Sequence, residues 1–364
     1  RPVLSRLIPL VVLWLFVLFI LGRGVSKGVE RLNRVFLPLL VVLFLIMVVR
    51  ALFLPGALEG LNAFFTPDWS ALFDANVWLA AVSQIFFSLS IAFGIMLTYA
   101  SYLPRKANLA GTGLVAGFAN SSFEILAGIG VFATLGFMAN QQGVGLNELE
   151  GITGVGLSFM TFPAIINQMP GGPLFGVLFF ISLVLAGITS LLSLLQVVSG
   201  AFQDKFGYSA RKAAVTVGAV AGVVSVVLFS TTTGLNTLDV VDAFINNVGV
   251  VFSAIVMTLL AYFAVPKVRA LRKHLNLASA VPVPAAWDWI VGLVTPALLA
   301  VMLFQALIGY VTEGYGDWSA GSLNVLIFGW GTITVAVIGA FILTKLPWRE
   351  AKHEDVIKFK GEED

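Results

Sequence analysis

Polar groups lie near the middle of an apolar stretch that is long enough to cross a lipid bilayer. Residues 83–102 read SQIFFSLSIAFGIMLTYASY and carry Gln84, Ser88, Ser90 and Gly94. Clustered serine and glycine weaken a helix, and a break frees backbone carbonyls that can coordinate a small cation. Such freed groups are tolerated in a membrane only where protein or a cavity surrounds them. The stretch therefore predicts a broken helix with a binding site at the break.

A second candidate is Glu124, which lies in the apolar run 109–139. A charged side chain at the middle of a bilayer costs about 2.5 to 3.5 kcal/mol or more, and helix packing does not require it. Glu124 therefore needs a partner, a water-filled cavity or a proton. Asn120 lies one turn earlier on the same helical face and offers an amide oxygen to a cation.

The run 174–200 carries a third polar feature, a stripe of small and polar residues on one helical face. Steps of three and four residues relate its members, which are Ser182, Ala186, Thr189, Ser193, Gln196 and Gly200. Close helix packing through small residues would produce the same pattern. If the spans converge, however, the hydroxyls of Thr189, Ser190 and Ser88 complete an oxygen cage.

The composition assigns these features to a membrane protein. Hydrophobic residues make up 59% of the 364 residues and charged residues 11%, which does not fit a soluble domain. Nine apolar runs have the length of helical spans, at about 7–22, 35–54, 77–103, 109–139, 174–200, 213–230, 241–265, 289–310 and 322–344. No run alternates in the manner of a barrel strand. The predicted fold class is an all-α membrane protein.

The basic residues predict the orientation of these spans. All of the 21 Lys and Arg residues except Arg1, Arg6 and Arg50 fall in alternate loops and in the C-terminal tail. The positive-inside rule places those loops and the C-terminus in the cytoplasm. The expected location is the inner membrane of the cell. Contact with the lipid bilayer explains the basic face better than nucleic-acid binding does.

The start of the chain and the missing cysteines narrow the possibilities further. The chain opens RPVLSRLIPL, without Met and without the layout of a secretory signal. We expect that the front of a longer protein precedes it. The absence of cysteine excludes disulfides and thiol chemistry in this chain.

Five motifs in series resemble the neurotransmitter:sodium symporter family, and especially its bacterial amino-acid transporters. The motifs are VWLAAVSQIFFSLSIAFGIMLTYASY, ANSSFEI, FPAIINQMPGGPLFG, LAGITSLLSLLQ and LDVVDAF. The resemblance covers about residues 8 to 345. It implies the inverted-repeat fold of sodium symporters, with nine of twelve expected transmembrane helices present and the first three absent.

The resemblance also implies how the chain is divided. The expected parts are the end of the first repeat at 1–76, the second five-span repeat at 77–265, the last two spans at 266–345 and a cytoplasmic tail at 346–364. A large outer loop is expected at about 140–172. In this loop, Phe159, Phe162 and Pro163 resemble packing residues of a lid over the outer vestibule.

Positions that match the family motifs imply roles for individual residues. The implied substrate-binding residues are Phe87, Ser88, Ser90, Phe93, Ser190 and Leu194. The implied sodium ligands are Ser88 and Asn120 at one site and Ala186, Thr189 and Ser190 at another. Sodium is the coupling ion, and no other metal or cofactor is expected.

Two further roles follow from the resemblance. Glu124, beside Gln84, stands where chloride-dependent members look to have an anion-binding serine, so its carboxylate implies independence of chloride. The alternative is a protonated structural glutamate that is hydrogen-bonded to Gln84. Asp242 matches the acidic half of an outer gate whose arginine would come from the absent first span.

The expected function is therefore sodium-coupled import of a small neutral amino acid or related amine by alternating access. An ion channel or a fragment that does not transport by itself remains an alternative. A remote alternative is an intramembrane aspartyl protease, because GYGD at 314–317 matches a Gly-x-Gly-Asp pattern. That chemistry needs two carboxylates inside the membrane, whereas Asp317 falls in a predicted outer loop. We therefore expect a transporter and not an enzyme.

Overall fold

The chain is described by a computed structural model that covers residues 3–23, 26–101, 103–104, 106–149, 154–264, 268–316 and 318–348. Asp317, the acid of the protease alternative, and residues 349–364 of the expected tail lie outside these ranges. The described part is almost entirely helical. Its only β-type pairing is an isolated bridge between Tyr315 and Trp318.

The first half of the described chain consists of seven α-helices, some of them joined by short 3₁₀ turns. They are α1 (Leu4–Arg23), α2 (Ser26–Leu52), α3 (Ala57–Phe65), α4 (Ala75–Ser88), α5 (Ile95–Ser101), α6 (Leu109–Gln142) and α7 (Gly154–Asn167). The expected span 77–103 is thus two helices, α4 and α5, with an interruption between them.

The second half consists of long helices that contain π-helical turns. The α-helices are α8 (Gly172–Phe206), α9 (Ala210–Phe229), α10 (Gly234–Phe244), α11 (Val251–Leu259), α12 (Val268–Ala278), α13 (Ala286–Trp289), α14 (Thr295–Thr312) and α15 (Gly331–Lys345). Ile245–Val250, Leu260–Ala264, Ile290–Val294 and Val325–Trp330 are π-helical. Such turns mark departures from regular helix geometry, often at functional sites.

Eight helical segments among the described residues are long and apolar enough to cross a membrane. They correspond in order to eight of the nine predicted runs, the exception being the interrupted α4–α5 stretch. The chain is therefore a multi-pass membrane protein. The total of nine spans and the division into repeats remain predictions.

The helix α7 fills a cleft between longer helices. It packs on α2, α6 and α8, and its buried Ile165 joins a core with Phe44 and Phe179. The ring of Phe162 meets the rings of Phe44 and Phe179 edge-on, with centroids 5.7 and 5.4 Å away. Phe162 thus packs between α2 and α8, and the side chain of Phe159 lies outside the described part. That this segment is an outer loop remains a prediction.

A buried lysine ties the end of α8 to the end of α15. The Nζ of Lys205 donates to the carbonyl oxygen of Leu346 at 3.0 Å and lies 4.4 Å from the ring centroid of Trp348. Only 7% of Lys205 is exposed. Because a buried charge needs such partners, this contact fixes where the last span ends.

We predict that Lys205→Met lowers stability, because it removes a charge-assisted hydrogen bond worth about 1.5–3 kcal/mol together with the cation–π contact. The measurement is the melting temperature in detergent. Lys212→Met is the matched control, since exposed Lys212 also lies over a ring, that of Tyr208 at 4.1 Å, and should change stability by less than about 0.5 kcal/mol. Equal losses in the two variants would contradict the assignment.

Candidate functional site

The centre of the candidate site is the interruption between α4 and α5. The backbone turns there with positive φ at Ser90 (50°), Ala92 (66°) and Gly94 (80°). Non-glycine residues rarely adopt this region, and neighbouring packing must hold them in it. The broken helix predicted from serine and glycine content is therefore present, and Ala92 adds a strained position that its residue type did not signal.

The interruption uses its amides internally. The N–H groups of Leu89, Ser90, Ile91 and Phe93 donate to carbonyls of residues 85 to 90, at 3.0 to 3.4 Å. The carbonyl oxygens of Phe86 and Ser90 keep a second lone pair, whereas that of Ile85 also accepts from the Ser88 hydroxyl at 3.4 Å. The first amides of α5, as at any helix N-terminus, have no intrahelical acceptor, so the break offers carbonyl acceptors to a cation and amide donors to an anionic group.

Packing on one side holds the interruption in place. Phe86 is buried with Val251, Ala254 and Leu299 of α11 and α14. Phe87 and Ala92 are packed against the same cluster. The end of α4 and the turn after it are thus fixed to a rigid helix pair.

Polar residues of α4 and α6 form one hydrogen-bonded group. The Asn120 amide nitrogen donates to Glu124 Oε1 at 3.0 Å and to Ser88 Oγ at 3.1 Å. Gln84 Nε2 lies 3.5 Å from the same Glu124 oxygen. The structure thus brings together all four residues that the sequence placed here, and Glu124 has the partners that its position requires.

This group orients the side chain of Asn120. Both of its described hydrogen bonds use the amide nitrogen, so the amide oxygen is the atom left for a further ligand. Within the described ranges, His, Cys, Asp and Glu form no metal-binding group of three. A cation at this site would therefore depend on neutral oxygens with one nearby carboxylate.

The α8 residues lie along one helical face. The Thr189 hydroxyl donates to the Ala186 carbonyl at 2.8 Å, and the Ser193 hydroxyl donates to the Thr189 carbonyl at 3.0 Å. Ser190 and Leu194 are exposed beside them. The face therefore presents hydroxyl and carbonyl oxygens next to an accessible apolar side chain.

The helix α5 links the interruption to this face of α8. The Tyr99 hydroxyl hydrogen-bonds to Ser193 Oγ at 2.6 Å. A Cβ on Gly94 would stand 2.8 Å from Cγ1 of Val197. Sequence reasoning missed Tyr99, although a tyrosine hydroxyl inside an apolar run needs a polar partner and could have signalled this contact.

Asp242 occupies a different environment from the other predicted residues. It is exposed on α10, and its carboxylate accepts a hydrogen bond from Asn246 Nδ2 at 2.9 Å. The role of Asp242 as an outer gate remains a prediction.

In the loop after α14, burial raises the pKa of Tyr315 to about 12, and the charge of Asp239 acts in the same direction.

We predict that Gly94→Ala lowers stability by about 1–3 kcal/mol, because alanine is strained at positive φ and its Cβ would press on Val197. The measurement is the melting temperature in detergent. The double variant Gly94→Ala/Val197→Ala relieves the contact but not the strain, so it should recover only part of the loss. Gly117→Ala is the control, since its Cβ would meet no atom within 4 Å. A single variant as stable as that control would refute the prediction.

Comparison with known proteins places this arrangement among transporters. The family model for the sodium:neurotransmitter symporter family matches residues 5–349. A relative in Methanocaldococcus jannaschii, named as an uncharacterized sodium-dependent transporter, is 38% identical over 93% of this chain and 68% of its own length. The sodium- and chloride-dependent glycine transporter 1 of Xenopus laevis is 30% identical over 84% of this chain and 48% of its own length.

A solved structure has a similar fold. The crystal structure of MhsT in complex with L-phenylalanine superposes with a TM-score of 0.66 at 30% identity, over 81% of this chain and 66% of that one. The chain thus spans about two thirds of MhsT and about half of the glycine transporter.

Proposed function

This chain belongs to the sodium:neurotransmitter symporter family, and from that premise we propose that it provides most of a symporter that imports a small neutral amino acid with sodium. Membership confirms the resemblance found in the sequence. The likeness to MhsT confirms the sodium-symporter fold. The family consists of transporters, so the chain is a transporter and not an enzyme.

One observation carries the proposal: a span interrupted at 89–94 beside the Asn120–Glu124 pair. An interrupted span costs backbone hydrogen bonds in the membrane, and a carboxylate there costs more. A binding site repays both costs, because carbonyl and amide oxygens at the break can coordinate an ion where half-helices meet.

We assign sodium to oxygen ligands on both sides of the interruption. Ser88 and Asn120 supply a hydroxyl and an amide oxygen to one ion, with Glu124 lowering the local potential for a cation. The Ala186 carbonyl and the hydroxyls of Thr189 and Ser190 supply the second. The described hydroxyl–carbonyl contact of Thr189 with Ala186 supports a common orientation of these oxygens.

The substrate is proposed to lie between the interruption and α8. Phe87, Phe93 and Leu194 offer an apolar pocket, and Ser88, Ser90 and Ser190 offer hydroxyls for polar groups. This chemistry favours a neutral amino acid with an apolar side chain. MhsT, the similar structure, holds L-phenylalanine, which fits the same class.

Shared positions explain how sodium would drive uptake. Ser88 and Ser190 are proposed to face both an ion and the substrate, so filling one position orders ligands of the other. Such coupling is reciprocal: sodium raises the affinity for substrate as much as substrate raises the affinity for sodium. The proposed location is the inner membrane, as the resemblance to bacterial transporters implies, and the distribution of basic residues supports a cytoplasmic C-terminus.

We predict that the full-length protein takes up labelled neutral amino acids into proteoliposomes only when sodium is present outside. Asn120→Ala and Thr189→Val remove proposed ligand oxygens. Each should raise the sodium concentration that gives half-maximal uptake at least tenfold. Asn276→Ala, which removes an amide bonded to the backbone of Val283 after α12, is the control.

Equal uptake after choline replaces sodium would overturn the symport proposal. Single-channel currents without saturable uptake would favour the channel alternative instead.

We further predict that Glu124→Ser makes transport depend on chloride, because the fixed carboxylate is replaced by a hydroxyl that can bind an anion. The measurement is the rate of uptake across chloride concentrations with gluconate as the replacing ion. Glu148→Ser, which removes an acid in the loop after α6, is the control. If the rate of uptake by Glu124→Ser does not change with the chloride concentration, the Glu124 carboxylate does not take the place of chloride.

A further inference from the structure

Arg50 departs from the charge pattern of the chain, and the structure shows its partner. It stands near the end of α2, away from the basic loops. Its Nε and Nη2 both donate to the carbonyl oxygen of Gln168, at 3.3 and 2.9 Å. Gln168 directly follows the last residue of α7. Because carbonyls at a helix C-terminus carry partial negative charge, the guanidinium is matched to this end of α7.

The corner between α7 and α8 is tight. Gly171 has φ of 72°, and the Gly172 amide donates to the Met169 carbonyl at 3.0 Å. A Cβ on Gly172 would collide with the carbonyl oxygen of Ile166. The corner therefore joins α7 closely to α8, and Arg50 attaches the same corner to α2.

The buried face of α7 contains a polar defect. Thr161 is 1% exposed, and its hydroxyl has no hydrogen-bond partner among the described residues. Thr134, Ser182 and Ser199 are buried on helices as well, and each donates to the carbonyl one turn earlier, at 2.6 to 2.8 Å. A buried hydroxyl without a partner destabilises the state in which it is buried.

A proline weakens the same helix. Pro163 lies inside α7, and because it has no N–H, the carbonyl one turn before it loses its helical donor. The aromatic and aliphatic contacts of Phe162 and Ile165 oppose these defects. The closed position of α7 is thus held by apolar packing and Arg50 and opposed by groups within α7 itself.

We propose that Arg50 is a positioning residue for α7, and that the unpaired Thr161 hydroxyl biases α7 to leave its cleft, with the corner at Gly171 and Gly172 as the hinge. When α7 swings out about this hinge, Thr161 gains water as a partner, and Gln168, which lies on the α7 side of the hinge, leaves Arg50. Arg50 therefore favours the closed position of α7, and Thr161 favours the open position. The consequence for transport rests on the proposed function, since it treats α7 as a lid over the outer entrance.

Hydrogen–deuterium exchange of the α7 amides in the full-length protein tests the proposal directly. Thr161→Val keeps the shape but removes the hydroxyl, so exchange should slow by about tenfold, the factor that corresponds to about 1.4 kcal/mol. Arg50→Gln should accelerate exchange by a similar factor. Thr161→Ser retains a hydroxyl and should stay closer to the original protein than Thr161→Val does.

Arg6→Gln is the matched control for Arg50. Arg6 also donates to two loop carbonyls, those of Thr231 and Thr232 at 3.0 and 3.3 Å, but far from α7 in the sequence. Unchanged or faster exchange in Thr161→Val would overturn the proposal, as would equal effects of Arg50→Gln and Arg6→Gln. If Arg50→Gln does not fold, Arg50→Lys is measured in its place and should show a smaller acceleration.

Transport kinetics provide a readout that a purely structural role would not move. A lid held closed should lower both KM and kcat, so Thr161→Val should lower both, whereas Arg50→Gln should raise KM. Exchange effects without this split would refute the lid role and leave the symport proposal intact. If uptake is independent of sodium but the exchange effects are as expected, the symport proposal is refuted and the positioning of α7 by Arg50 and Thr161 is kept.

Discussion

The structure depends on how backbone polar groups are satisfied where a span is interrupted inside the membrane. Water is not available there to pair with freed N–H and C=O groups. Four amides of the turn at 89–94 donate to carbonyls of residues 85 to 90. The Gly94 carbonyl accepts from both the amide and the hydroxyl of Thr98. Carbonyl oxygens in the turn keep acceptor capacity for a cation, and the first amides of α5 remain as donors for an anionic group.

Maintaining that turn requires rigid neighbours, because residues at positive φ other than glycine relax unless packing prevents it. One neighbour is the cluster of Phe86 with α11 and α14. The other is α8, reached through Gly94 against Val197 and Tyr99 on Ser193. The interruption therefore lies between two supports, and a shift of either one changes the spacing between the α4–α6 oxygens and the α8 oxygens. Under the proposed sodium assignment, this arrangement would link ion binding to helix movement.

The sequence predicted those parts of the site that depend on local patterns. Spacing of four residues placed Asn120 and Glu124 on one face, the cost of a buried carboxylate demanded a partner, and serine and glycine content predicted the break. The contact of Gln84 with Glu124 was expected, but other contacts between elements distant in sequence were not predictable in this way. Neither the bond from Tyr99 to Ser193 nor that from Arg50 to the Gln168 carbonyl leaves a periodic signal, since each depends on how whole helices dock. The family resemblance supplied ligand roles that spacing alone could not.

The Asn120–Glu124 pair explains why a costly carboxylate can serve a site that it does not itself ligate. Glu124 Oε1 accepts from the amide nitrogen of Asn120 and lies within 3.5 Å of the nitrogen of Gln84, which lowers the cost of burying its charge. A charged acceptor also polarises the donating amide and makes the amide oxygen at its other end a stronger ligand. Ser88 Oγ accepts from the same nitrogen, so its hydroxyl is oriented together with that oxygen. If sodium binds at Asn120 as proposed and Glu124 is ionised, its charge acts on the ion partly through Asn120, and a neutral substitute for Glu124 leaves the same oxygens in place as weaker ligands.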